Sequence, residues 1–238
     1  MKPILADRSP SLQRVLERQL RNWEIEERLR HEHPTSRKFT CDFITISRDS
    51  ASRGEEIAAE LGRRLGWKVF DRELLDLMSE HQEYRRHLYS TIDERQQSWI
   101  DGLLILCSPE TASLRNDYLH ALGRTLLTVS HHEPAIFVGR GAHLLLPPDV
   151  GVRVRVIARF EDRVAWFAEE RGIQPDEARR ALRRLDQQRL AYLKKNFGIS
   201  EDRFEDYDVT VNASRLSVPQ ACEVILAALK QKAAEHPL

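Results

Sequence analysis

The sequence predicts an α/β domain built on a parallel sheet of five strands with helices on both faces. Two observations carry this. Five short apolar, β-prone runs lie at residues 41–47, 67–70, 135–139, 152–158 and 208–212. The segments between them carry apolar residues at helical spacing, the alternation that parallel sheets covered on both faces require. The 238 residues, 41% of them hydrophobic, suit one compact domain or one domain with a small appendage.

In chain order, Leu12, Val15, Leu16, Leu20 and Trp23 recur at helical spacing among charged residues, an amphipathic helix over 11–33 closed by the Pro34-Thr35-Ser36 break. Residues 1–38 thus read as an N-terminal helical extension and 39–238 as the main domain. The apolar stripe of the extension would pack on its own domain, on a second copy, or on a protein partner, and the Pro34 break predicts that it is separable. The run Cys41 to Ser47 is the first strand, and Ile57, Ala58, Leu61 and Leu65 mark the helix after it. The second strand, Trp67 to Phe70, leads into Asp71-Arg72-Glu73-Leu74-Leu75, where Asp71 suits a helix N-cap. Residues 74–130 read as mostly helical, with punctuation near Asp101-Gly102 and Ser108-Pro109, until His131-His132-Glu133-Pro134 stops the pattern at a solvent-facing terminus. Strands at 135–139 and 152–158 follow, with Pro147-Pro148 in the turn between them. Beyond Glu161 a helix runs to Arg171 with Gly172 as its cap, and another opens at Pro175 carrying a dense arginine cluster. The last strand precedes a closing helix over 217–233.

Composition excludes several classes of function. Lys plus Arg and Asp plus Glu both number 37, so no global field draws the chain to nucleic acid or to an anionic membrane. No apolar run approaches the roughly 18–20 residues of a membrane span, and the first ten residues lack a signal-peptide core; a soluble, cytoplasmic protein is expected. Cys41, Cys107 and Cys222 are scattered, which suits core residues rather than a disulfide framework or a zinc site, and no residue is assigned to a metal. Of the 37 cations 30 are Arg, through genome composition or a demand for bidentate oxyanion binding.

Ligands of such a sheet bind at the carboxyl ends of the strands. The first such loop, Asp49-Ser50-Ala51-Ser52-Arg53-Gly54-Glu55-Glu56, enters a helix, where successive backbone N–H groups and the helix dipole favour an anion. Against the pattern G-x-x-x-x-G-K-[ST], only Gly54 survives, and Glu55 and Glu56 stand where the lysine and the hydroxyl belong.

The order of segments is more informative. Phe43-Ile44-Thr45-Ile46-Ser47-Arg48-Asp49, Gly54-Glu55-Glu56-Ile57-Ala58 and Phe70-Asp71-Arg72-Glu73-Leu74-Leu75 resemble the opening of the cytidylate-kinase-like family of P-loop proteins. Val138-Gly139-Arg140-Gly141-Ala142, Glu161-Asp162-Arg163, Asp186-Gln187-Gln188-Arg189 and Tyr207 to Ser214 follow in that family's order. The resemblance implies a three-layer nucleoside monophosphate kinase fold with a five-stranded parallel sheet. It also implies a helical nucleotide-binding insertion over about 74–132 and an arginine-bearing lid over about 175–200. ATP and Mg2+ are the cofactors it implies, and a pyrimidine nucleoside monophosphate such as CMP or dCMP the acceptor. Residues 49–56 would face the ATP phosphates. Asp71, Arg72, Arg140 and the lid's Asp186 would lie toward the acceptor, and Arg189, Arg184 and Arg53 would neutralise the moving phosphoryl group.

Three departures stand out. Ala51 and Arg53 replace glycines and should keep the loop from positive φ. The acidic pair Glu55-Glu56 should repel ATP, so that Glu55→Lys would raise turnover. Gly141 stands where typical cytidylate kinases carry an acidic residue. The sequence therefore supports an ATP-dependent nucleoside monophosphate kinase or, alternatively, a catalytically weak or inactive nucleotide-binding relative with a regulatory role.

Overall fold

The structure, a computed structural model, describes residues 43–90, 117–147, 150–199 and 203–235, with 14, 17, 18, 20–23, 97 and 102. The expected breaks at Pro34 and Ser108, Cys41 and Cys107 all lie outside the described residues. Five strands, β1 (Phe43–Arg48), β2 (Lys68–Phe70), β3 (Ala135–Val138), β4 (Val152–Ile157) and β5 (Val209–Asn212), form one sheet in the order β2-β3-β1-β4-β5. Every pairing is parallel. The helices are α1 (Gly54–Leu65), α2 (Arg72–Glu80), α3 (Gln82–Tyr89), α4 (Asp117–His132), the single turn α5 (Ala142–Leu145), α6 (Phe160–Arg171), α7 (Pro175–Phe197) and α8 (Val218–Glu235).

Successive side chains of a strand face opposite sides of the sheet, and the two cores follow from that alternation. On one side Phe43, Phe70 and Phe137 meet leucines of α2 and α4. On the other, Ile44, Ile46, Ile136 and Val138 meet Ile57 and Leu61 of α1 and Cys222 and Ile225 of α8. Burial pushes the Cys222 thiol pKa up, in keeping with a core residue. Helices α6 and α7 enclose a smaller core of their own, made by Val164, Ala168, Ala178 and Leu182.

Local signals behave as the sequence predicts. The Asp71 carboxylate accepts from the Leu74 N–H at 2.8 Å, Gly172 caps α6 at φ 63°, and Pro175 opens α7. One expectation is corrected. The His131–His132 pair is not a solvent-facing terminus: His132 is 4% exposed, and its ring stacks on Trp23 at 5.0 Å. Leu20 and Trp23 of the leading helix, each 1% exposed, belong to the same core as Phe43 and Leu126. Their apolar surface is thus buried on the domain itself. No helix among the described residues is long and apolar enough to cross a membrane.

Strand β1 lies between β3 and β4, and hydrogen bonds continue across the carboxyl ends of the three: Gly139 N–H donates to Ile46 O at 3.0 Å, and Asp49 N–H to Val156 O at 3.1 Å. The loops after all three strands therefore converge, and the site is built there.

Candidate functional site

The loop after β1 does take the left-handed backbone that glycine would favour. Ala51 lies at φ 57° and Arg53 at φ 63°, and Arg53 is the N-cap of α1. The expectation that side chains at 51 and 53 would keep the loop from positive φ is overturned, because tertiary bonds fix it. Ser52, fully buried, donates its hydroxyl to Asp49 O at 2.9 Å and Val156 O at 3.3 Å. Asp49 is paired with Arg155 of β4, which is 1% exposed. Ser50 is held at both ends: its N–H donates to Asp186 at 3.3 Å, and its carbonyl accepts from Arg163 at 3.1 Å. Arg163 also reaches Asp186 at 2.9 Å. Among the described residues, the N–H groups of Ala51, Arg53, Gly54, Glu55 and Glu56 have no acceptor, which leaves a row of donors at a helix N-terminus for an anion.

The acidic pair is not left unpaired. Glu55 accepts from Arg48 at 2.7–2.9 Å, and Glu56 lies 3.8 Å from Arg53. Arg53 stacks on the Trp166 indole, 4.2 Å from the ring centroid.

Across the cleft, Arg140 sits between Gly139 and Gly141, all three at positive φ. Its guanidinium closes on Asp76 in a bidentate pair and lies 4.9 Å from the Tyr192 ring, while Tyr192 donates to the Arg140 carbonyl at 3.2 Å. Tyr118 donates to Asp76 at 3.1 Å. Burial works against the Arg140 charge, but the hydrogen bond to Asp76 and the charge interactions with Tyr118, Asp76 and Tyr192 together outweigh it, and the pKa is raised. Burial pushes the Tyr118 phenol well up and the Tyr192 phenol up.

Two cavities adjoin the loop. The larger, about 530 Å³, brings together Ser50, Ala51, Glu55, Asp71, Arg72, Arg140 and Arg189 of the sequence-predicted set. The smaller, about 490 Å³, takes Arg53 and Glu56 with Trp166 and Phe167. Ala51, Glu55 and Arg171 line both. The other predicted residues stand apart from the cavities. Asp49, Ser52 and Asp186 fix the loop, Gly54 lies beneath it against Arg48, and Arg184 is exposed on α7 and lines neither cavity. Sequence reasoning passed over Arg48, Asp76, Arg155, Trp166 and Tyr192, of which Arg155 alone carries a signal, a charge inside an apolar strand.

Residues 43–215 match the cytidylate kinase-like family. The chain belongs to that family. Membership puts it among kinase-like, nucleotide-binding proteins. No curated protein matches the sequence. Among solved structures, an uncharacterized protein from Eubacterium ventriosum ATCC 27560 is 15% identical and covers 81% of this chain and 99% of its own, with a TM-score of 0.62. A gluconokinase from Sinorhizobium meliloti 1021 is 17% identical over 84% of this chain and 97% of its own, with a TM-score of 0.46. The first likeness is one of fold.

Proposed function

We propose that the chain transfers the terminal phosphoryl group of ATP to a nucleoside monophosphate, CMP or dCMP. The observation that carries this reading is the pair of cavities meeting at Ala51, Glu55 and Arg171. Phosphoryl transfer between two nucleotides needs two adjoining sites with the moving group between them. The donor base would lie against Trp166, and its phosphates would run along the free N–H groups of Ala51 and residues 53 to 56. The acceptor would lie in the larger cavity near Asp71, Arg72 and Arg140. An acceptor phosphate oxygen bonds to the terminal phosphorus of ATP as the bond to the bridging oxygen breaks, and ADP leaves with the electron pair. Arg189 would neutralise the charge in transit, and Arg184 would join only on lid closure. Among the described residues no group of three His, Cys, Asp or Glu side chains could hold a metal. Magnesium would therefore arrive on the phosphates and take at most a carboxylate from Glu55 or Glu56. Family membership is what supports a cytosine base.

The test is ADP release with Mg2+, ATP and each of CMP, dCMP, UMP and AMP. CMP or dCMP is expected to give the highest kcat/KM; no ADP with any acceptor would overturn the reading. A second reading, nucleotide binding without turnover, is favoured by the loop arginines already engaged with Glu55, Glu56 and Trp166. It requires ATP to raise the melting temperature with no ADP released.

A further inference from the structure

We propose that Arg48 is the cation that meets the nucleotide phosphates, taking the place of a lysine on the first turn of α1, and that Glu55 holds it there. This rests on the phosphotransfer reading above. Arg48 ends β1 at the carboxyl edge and lines the larger cavity beside Ala51 and Arg189. Its aliphatic stem runs over Gly54: a Cβ added there would lie 2.7 Å from both Cβ and Cγ of Arg48 and 3.4 Å from Cδ. The arginine thus fills the volume into which a side chain on the first helical residue would project. Gly139 makes room at the other end, where an added Cβ would lie 3.0 Å from Arg48 Nη1. Two residues without side chains and one carboxylate therefore fix the guanidinium at the wall of the larger cavity.

The other arginines beside the loop are committed elsewhere. Arg155 is enclosed with Asp49, and Arg53 lies on Trp166 in the smaller cavity. Arg48 is held by a carboxylate that is the exposed side of the pair: the Glu55 side chain is 58% exposed, against 22% for Arg48. A solvated ion pair of this kind is weak, so a phosphate can replace Glu55 as the partner, with two oxygens matching the planar guanidinium. Arg48 acts by charge alone.

The experiment measures binding of sodium tripolyphosphate and of MgATP by calorimetry, ADP release, and thermal unfolding. Arg48→Met keeps the stem over Gly54 and removes the charge; it is expected to fold and to lose about tenfold or more in tripolyphosphate affinity, the loss of one charge-assisted hydrogen bond. Arg48→Lys is expected to retain most of the affinity. Gly54→Lys alone drives a side chain into the Arg48 stem and lowers the melting temperature. Combining Arg48→Gly with Gly54→Lys clears the volume and moves the cation across, so the double variant is expected to bind tripolyphosphate more tightly than Arg48→Met. Arg48→Met binding as tightly as the natural chain, or the double variant binding no better than Arg48→Met, overturns the proposal. If tripolyphosphate binding depends on Arg48 but no acceptor yields ADP, the phosphotransfer reading falls and this assignment stands. If Arg48→Met releases ADP at the natural rate, the reverse holds, and a natural chain that binds neither probe overturns both.

Discussion

At Arg140 the backbone, at φ 55°, lies between two left-handed glycines while the guanidinium closes on Asp76, whose side chain is 8% exposed. A non-glycine residue in that region is strained by about 1 kcal/mol, and the bidentate pair with the stack on Tyr192 holds it there. Reading the sequence alone, one would expect Arg140→Ala to weaken nucleotide binding and spare the fold. The structure changes that expectation: truncation leaves a buried carboxylate with Tyr118 as its remaining donor, a loss of about 1–3 kcal/mol. A lowered denaturation midpoint for Arg140→Ala, partly recovered in combination with Asp76→Ala, checks it through a double-mutant cycle. Glu55 changes in the same way. Because Arg48 already neutralises it, Glu55→Lys puts two cations side by side and is expected to give no gain in turnover, measured as ADP release with CMP. The phenols beside this network predict an alkaline limit. Tyr118 and Tyr192 are raised above the ordinary value of 10.0, so above that pH the unfolded chain loses protons that the folded chain keeps. Stability is then full below about pH 10 and falls as pH rises further. Tyr118→Phe with Tyr192→Phe should flatten the decline of melting temperature between about pH 10 and 11.

The elements that sequence made legible are those whose cause is local. Five strands appear within one or two residues of their expected ends, and the Asp71 cap, the Gly172 cap and the Pro175 start each depend on neighbours along the chain. Features that depend on a distant element were not legible. Trp23 finds His132 more than a hundred residues away, and Ala51 and Arg53 take positive φ because Asp49, Ser50 and Ser52 are held by β4, α6 and α7. Pairing Arg48 with Glu55 needs the turn between strand and helix, which no spacing rule supplies. The leading helix gives the test at this scale. With Trp23 1% exposed and stacked on His132, Trp23→Ala is expected to cost about 3–5 kcal/mol, as large-to-small changes in a packed core do. Deleting residues 1–36 should therefore lower the unfolding midpoint steeply; an unchanged midpoint would establish the helix as a detachable extension after all.

For the molecule as a whole, zero net charge conceals a local convergence of arginines at one edge of the sheet, drawn from β1, α2, the turn after β3, α6 and α7. What joins the helical pair α6 and α7 to the rest is polar as well as apolar. Asp186 of α7 accepts from the Ser50 N–H, Arg163 of α6 donates to the Ser50 carbonyl, and the two side chains bond each other. The sequence put Asp186 toward the acceptor; in the structure it holds the loop on which the donor phosphates would rest. A residue with that role and a residue that touches nucleotide should fail differently. Asp186→Ala removes the acceptor of the Ser50 N–H and leaves Arg163, 7% exposed, without its carboxylate, so the loop loses its anchor to α7. Amide hydrogen exchange of residues 49–53 is expected to speed up in Asp186→Ala even with no nucleotide present, because local opening then breaks fewer bonds. Arg189→Ala, which changes a cavity wall and no bond to Ser50, should leave that exchange unchanged and raise KM for the acceptor. Equal exchange in the two variants would return Asp186 to the acceptor site and leave the loop's left-handed turns to be held by Arg155, Asp49, Ser52 and the Arg163 bond to the Ser50 carbonyl.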